Sequence, residues 1–296
     1  MEHVRLIERP ELRNPVFVGA FSGWNDAASC ATSAVRLLVE QWHAEKFAEI
    51  DPEEFYDFSV NRPRVHLDDQ LIRHLEWPAN EFYAYRADGH PHDFIFFIGQ
   101  EPSLKWRTFT STITSLARDM DVRCMVLTGA LIADAVHTLP VHLSGSSSDP
   151  EMRERMESLN ITSSRYEGPT GIVGTLTDRC AQDGLQAISI WGAVPHYIPT
   201  TPNPKVVASL LRHLRDILNL ELEIGDLESA ARRFEDQVTE AVNANEQLRD
   251  YIHEREKREQ AEHLEPTRME DFPSGETVVR SLEEFLRQNR QRPPEN

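Results

Sequence analysis

The chain has 296 residues, is 40% hydrophobic, and carries 49 acidic against 31 basic side chains, a formal net charge of −18. That length suffices for one large domain or two modest ones, and the apolar fraction supports a real core. Such an acidic balance argues against a general nucleic-acid binder, which presents a basic face, and against an anionic membrane surface; solubility is its plainest consequence.

The first residues, "MEHVRLIERPELR", hold no apolar core of a signal peptide. No run approaches the roughly 18 apolar residues of a membrane span. Cys30, Cys124 and Cys180 lie far apart, each inside an apolar segment, and form no CxxC pair. They read as reduced, buried small hydrophobes. Together these features predict a cytoplasmic protein.

Residues 1–220 alternate between strand and helix patterns and are predicted to form an α/β core domain. "HVRLIE" and "PVFVGAF" read as strands. A helix is expected from Asp26 to Trp42, with Ala28, Ala31, Val35, Leu38 and Trp42 on one face. Residues 51–79 are irregular and fit a long excursion or an extra hairpin. "NEFYAYRA" alternates, as an antiparallel or edge strand does. "DFIFFIG" is solidly apolar, as a strand buried on both faces should be. Trp106, Phe109, Ile113, Leu116 and Met120 form the next helical stripe, and "RCMVLTG" another buried strand. "SGSSSD" reads as a flexible loop ending in a helix cap at Asp149. A helix over 171–183 and the strand "LQAISIWGAV" follow. Asn203 then caps a helix with Pro204 at its first position, and Val207, Leu210, Leu211, Leu214 and Leu218 carry its buried face. Strands separated by helices of this length imply a mainly parallel sheet covered on both sides, a three-layer α/β/α sandwich.

After Leu220 glycine almost disappears and charge density rises. A second region, 221–263, is predicted to be one long helix. Its apolar positions run Leu227, Ala231, Phe234, Val238, Ala241, Asn245, Leu248 and Ile252 in steps of four and three, the spacing of a coiled-coil seam. Asn245 takes an a-type position, where a polar residue fixes register. Two readings stand: a seam between chains, or a helix lying along its own domain. "HEREKREQAEHLE" has no apolar face and should be solvated. In a third region, 264–296, Val278, Val279, Leu282, Phe285 and Leu286 make a short helical stripe capped by Ser274. "RQRPPEN" reads as a disordered tail.

Groups able to carry chemistry follow strands. Trp24, Asn25 and Asp26 follow Phe21. Asp134, His137, Thr138 and His142 follow Leu127, and His196 and Tyr197 follow Ile190. In an open parallel sheet the carboxyl ends of the strands line one crevice, so the three loops are expected to converge. Gly23 makes the turn. Asp26 is expected to cap the helix or, alternatively, to face a ligand, and a carboxylate there opposes a phosphate. Trp24 reads as a plug over the sheet end or a stacking platform. Asn25 is free to link loops or meet a ligand. His137 and His196 are the plausible acid–base groups, and Asp134 could orient one of them. No serine sits on a GxSxG elbow, no cysteine lies near a histidine in sequence, and no H-x-x-x-H or HExxH spacing occurs. No catalytic residue, metal or cofactor is therefore assigned. Trp24, Asn25, Asp26, His137, Thr138, His196 and Tyr197 stand as candidate ligand contacts.

"GWNDAAS", "TGALIADAVHTLPV", "GPTGIVGTL" and "WGAVPHYIPTTPNPKV", in this order and spacing, resemble the proteasome assembly chaperone 2 family in its bacterial, actinobacterial-type branch. The likeness covers about residues 3–220 and extends more loosely through the long helix and "SLEEFLR". It implies a three-layer core similar to nucleoside-phosphorylase-like and peptide-hydrolase-like folds, self-association, and a role in protein assembly. Similar members read "VPHTRP" in the second loop. Here the sequence is "AVHTLP", with Leu139 at the arginine position, which argues against a bound anion there. The chain also ends Pro294-Glu295-Asn296, without the hydrophobic-tyrosine-any motif by which such chaperones dock on proteasome rings. The expected function is a non-enzymatic, self-associating interaction or assembly protein with protein clients. The alternative is a small-molecule binder or hydrolase/phosphorylase-like enzyme working at the strand-end crevice.

Overall fold

In the computed structural model, residues 3–198 and 202–259 are described. The expected helix over Val278–Leu286, its Ser274 cap and the tail lie outside them. The first half runs β1 (Val4–Leu6), β2 (Val16–Ser22), α1 (Cys30–Gln41), β3 (Glu45–Ile50), the hairpin β4 (Arg64–Leu67) and β5 (Arg73–Glu76), β6 (Glu81–Tyr85), β7 (Phe94–Gln100) and α2 (Trp106–Asp119). The second half runs β8 (Cys124–Ala133), β9 (Leu143–Ser147), α3 (Pro150–Ser158), β10 (Ile161–Ser163), α4 (Ile172–Gln182), β11 (Gln186–Pro195), α5 (Pro204–Leu218), α6 (Gly225–Asn243) and α7 (Glu246–Glu259).

One nine-stranded sheet has the order β1-β3-β6-β7-β2-β8-β11-β9-β10. Its centre, β7-β2-β8-β11, is parallel, and antiparallel pairings join β1, β3 and β6 on one flank and β9 on the other. Period-two alternation divides the central side chains between two cores. Val16, Val18, Phe94, Phe96 and Val126 face the cluster shared with α1 and α5. Phe17, Phe21, Ile95, Phe97, Met125 and Leu127 face the cluster shared with α2 and α4. The expected three layers result, and near-continuous apolar strands are the consequence of burial on both faces.

Of the two readings of β6, antiparallel or edge, the antiparallel one holds, since β6 lies between β3 and β7. Ser144–Ser147 belong to strand β9, while Asp149 does cap α3, accepting from the Glu151 amide at 3.0 Å. The excursion before β6 contains a separate two-stranded hairpin. Cys30 and Cys180 are buried, Cys124 is half-buried, and all three are free thiols. Burial pushes the Cys30 thiol up to about 12 and Cys124 up to about 11. Among the described residues no helix is long and apolar enough to cross a membrane.

The region after Leu220 departs most from its expected form. The long helix breaks, because Asn245 caps α7: its Oδ1 accepts from the Leu248 amide at 3.1 Å. An Asx oxygen competes for backbone N–H groups, so Asn245 ends one helix and starts another instead of fixing a coiled-coil register. The seam residues face their own chain. Val238, Ala241, Val242, Leu248 and Ile252 are buried with Val136, Tyr197 and Ile198, with Phe234 and Leu139 packed on the same cluster. Leu227 packs against the core shared with α1 and α5. Of the two readings of the seam, packing within the chain is the one observed.

Candidate functional site

The parallel centre ends at Ser22, Gln100, Ala133 and Pro195, and the loops that follow hold the predicted site residues. Hydrogen bonding sorts them into two clusters.

The first joins the loop after β2 to α4. Gly23 has φ +112°, a conformation that favours glycine, and makes the turn accepting the Asp26 amide at 3.1 Å. Trp24 is 58% exposed and does not plug the sheet end. The position beneath it is filled by Asn25, which is fully buried. The Asn25 carbonyl accepts from the Ala130 amide at 2.8 Å, extending the β2–β8 pairing into the loop. Its Nδ2 donates to Glu101 Oε1 at 2.7 Å, and the same oxygen accepts from the Ile172 amide at 2.9 Å. Glu101 thus caps α4 from the end of another strand. Gly171, the N-cap position, has no side chain to offer, and a Cβ there would lie 2.2 Å from Asn25 Oδ1. Sequence reasoning missed Glu101. The signal was a carboxylate directly after a strand buried on both faces, where an uncompensated charge needs amide donors.

Asp26 performs its expected task at unexpected range. α1 begins at Cys30 rather than Asp26, after a 3-10 turn over Ala27–Ser29 in which Ala28 and Ser29 adopt φ 52° and 51°. The Asp26 carboxylate reaches past them to accept from the Ala31 amide at 2.7 Å and from the Thr32 hydroxyl at 2.5 Å. Burial raises its pKa, against the lowering effect of these bonds. Two left-handed non-glycine residues in succession are a strained entry, held by this carboxylate.

The second cluster lies under α6 and α7. His137 is buried, and the Tyr197 oxygen accepts from its backbone amide at 2.9 Å. That leaves the Tyr197 hydroxyl proton for His137 Nδ1, 2.7 Å away. The Thr239 hydroxyl donates to the Glu235 carbonyl, so its oxygen accepts from His137 Nε2 at 3.2 Å. These bonds assign a neutral imidazole protonated on Nε2. Burial first, and then the Lys205 ammonium, depress the His137 pKa to about 4. Lys205 donates to the His137 carbonyl and pairs with Glu235 at 2.5 Å. Thr138 donates to Glu256 Oε1 at 2.6 Å. Asp134 accepts from Tyr251 and pairs with Arg255 at 3.1 Å. The expectation that "HEREKREQAEHLE" is solvated is corrected at Arg255 and Glu256, which fasten α7 to the second loop, while residues 260–265 lie outside the described residues. His196 is half-buried, edge-on to Tyr197 and Tyr251 with ring centroids 5.4 and 5.6 Å away, and burial lowers its pKa. Asp134 therefore fastens α7, and its charge also acts on His196, opposing the effect of burial.

The loops after β8 and β11 are thus covered by the chain's own C-terminal helices. A cavity of about 20 Å³ remains beside His137, Leu139 and Lys205, room for about one water. Leu139 is part of the apolar seat for α6. A larger cleft, about 880 Å³, opens at the opposite, amino ends of the central strands, between Trp42, Tyr85, His90, Phe94 and Leu218. No group of three or more His, Cys, Asp or Glu among the described residues is placed to hold a metal.

This architecture defines a class: a three-layer α/β/α protein whose C-terminal helices pack on the loops after β8 and β11. The PAC2 family model matches residues 20–242, and the chain belongs to that family. A PAC2 family protein from Streptomyces avermitilis is 39% identical, with 80% of this chain and 99% of that one covered and a TM-score of 0.73. The Mycobacterium tuberculosis proteasome-assembly chaperone homologue Rv2125 is 38% identical over the same shares, also with a TM-score of 0.73. Pyrococcus furiosus PbaB, an archaeal proteasome activator, shares the fold at 18% identity, with 81% and 99% covered and a TM-score of 0.63. Among curated proteins nothing matches the sequence.

Proposed function

We propose that this protein is a non-enzymatic assembly factor of the cytoplasm, which self-associates and binds protein clients, proteasome components among them. One observation carries the reading: α6 and α7 cover the loops after β8 and β11, part of the strand-end face where an α/β enzyme of this topology would hold its substrate. The titratable group at its centre, His137, is neutral, with both ring nitrogens engaged. A general acid or base needs solvent or substrate access and a pKa near the working pH. Family membership supports the assembly role, and the relative named as a proteasome-assembly chaperone homologue supports the client class.

Native mass spectrometry of the full chain with purified proteasome α and β subunits tests this reading. A stoichiometric complex that speeds ring or half-proteasome formation is the expected result. A broad nucleoside and peptide substrate screen addresses the enzymatic alternative. Reproducible turnover, abolished by His137→Ala or His196→Ala with the fold intact, would overturn the proposal.

A further inference from the structure

The cleft at the amino ends of the central strands encloses about 880 Å³, within the range of about 300–1,000 Å³ typical of small-molecule sites. Register builds its floor. Phe94 pairs with Val16, Val16 with Cys124, and Cys124 with Gln186, one row across β7, β2, β8 and β11. Three strand spacings make that row about 14 Å wide. The helices on this face, α1 and α5, both end here, with Trp42 and Leu218 at the margin of the cleft. Trp42 stacks on Tyr85 with ring centroids 4.9 Å apart and forms an aromatic wall. Val16, Phe94, Ile188 and Ile217, all buried, give the cleft an apolar interior.

Most of the charged groups around the cleft are engaged by helix ends. Asp149 caps α3 through the Glu151 amide, and Glu151 lies in the same first turn, where the positive end of the helix offsets both carboxylates. Arg155 donates to the Asp216 carbonyl at 2.7 Å and His90 Nε2 to the Leu218 carbonyl at 3.1 Å, so both serve the end of α5. That leaves Asp88 and Glu221, exposed on flanking loops, and Arg123, exposed beside the centre of the row. The field of Arg123 is the one that reaches the floor. Burial is the first cause of a depressed His92 pKa, and the charges that lower it further, Arg123, His90 and Arg13, are cationic. At Cys124, where burial raises the thiol pKa, the opposing charge of Arg123 outweighs that of Asp149. A cation thus leads at both positions, on a chain whose net charge is −18. We infer that this cleft binds a small amphipathic carboxylate, its apolar body on Phe94, Val16 and Ile188 beside the Trp42–Tyr85 pair and its carboxylate on Arg123. The site lies at the end of the sheet opposite to α6 and α7 and adds a ligand to the assembly role.

Titration calorimetry of the full chain with sodium decanoate tests this, with decyltrimethylammonium as the counter-probe, both below their micelle concentrations. The net charge of −18 by itself favours the ammonium, so a preference for decanoate reads the cleft. Arg123→Gln, at an exposed position, should leave the thermal melt unchanged and weaken decanoate at least about 10-fold, as loss of a charge-assisted hydrogen bond does. Alkylation of Cys124 locates the ligand, since the other two thiols, Cys30 and Cys180, are buried. Decanoate should slow that alkylation in wild type, and slow it less in Arg123→Gln at the same concentration. Decanoate that fails to bind at millimolar concentration, binds no better than the ammonium, or binds Arg123→Gln equally well overturns the inference. Binding that leaves Cys124 alkylation unchanged also overturns it, because the acyl chain then lies elsewhere, as on the exposed β4–β5 hairpin. Complex formation with proteasome subunits is measured separately, so the assembly role stands or falls independently of this site.

Discussion

Replacing Gly171 by alanine tests how the first cluster is built. The Gly171 backbone, at φ −91°, suits any residue, so the cost comes from contact alone. The new methyl would stand 2.2 Å from Asn25 Oδ1 and 2.6 Å from Nδ2. Asn25 is fully buried and held at 2.7 Å by Glu101, so it cannot swing away without giving up that bond. Overpacking of this kind costs about 2–3 kcal/mol. Asn25→Ala removes one donor from Glu101, which keeps the Ile172 amide, and should cost about 1–2 kcal/mol. In the double variant the methyl enters the space the amide left. Independent effects would sum to about 3–5 kcal/mol, whereas the double variant should lose only about 1–2 kcal/mol, a coupling of about 2–3 kcal/mol of opposite sign. Urea unfolding with an unchanged slope measures all four proteins. Additivity within about 0.5 kcal/mol, or a single Gly171→Ala indistinguishable from wild type, would refute the packing argument.

The depressed His137 pKa makes stability pH-dependent. The unfolded histidine binds a proton below about 6.5 and the folded one only below about 4, so unfolding midpoints should fall as pH drops through that window, by up to about 3 kcal/mol. His137→Gln should flatten that part of the profile, and an unchanged profile would show that His137 is not the group responsible. Asp26→Ala and Asp26→Ser should each cost about 1–3 kcal/mol, because a serine hydroxyl cannot span from position 26 to Ala31 and Thr32. Since burial raises the Asp26 pKa, its ionisation weakens the fold as pH rises through the folded value; Asp26→Asn should therefore be tolerated at neutral pH, and losses equal to those of alanine in denaturant melts would contradict this account. Phe234→Asp should lower the thermal midpoint and leave the sedimentation mass unchanged, because Phe234 packs within its own chain; a change of mass without loss of stability would return the seam to an intermolecular role.

The central strands and their helices were legible in the sequence because their signals are local. A strand such as "FIFFI", buried on both faces, must be apolar throughout, and Asn203-Pro204 starts a helix by its own chemistry, with Asn203 Oδ1 3.1 Å from the Lys205 amide. Asp26 was legible as a helix-capping carboxylate, though its reach across a strained turn was not. What only tertiary structure decided are the partnerships between distant segments. The four-three spacing from Leu227 to Ile252 is the same whether its apolar face meets another chain or the loop around Val136 and Tyr197, because periodicity records that a face is buried and not against what. Arg255 and Glu256 look solvated in sequence because their partners, Asp134 and Thr138, are more than a hundred residues away. Trp24 turns outward instead of plugging the sheet end, while Asn25 links the loop to Glu101, one of its two expected roles, because the space beneath the sheet end is set by the bare Gly171 and the Glu101 carboxylate. The buried Asn25 amide is held through its Nδ2 on Glu101 while its Oδ1 goes without a hydrogen-bond partner, and that acceptor on Glu101 is brought to it only by the folded chain.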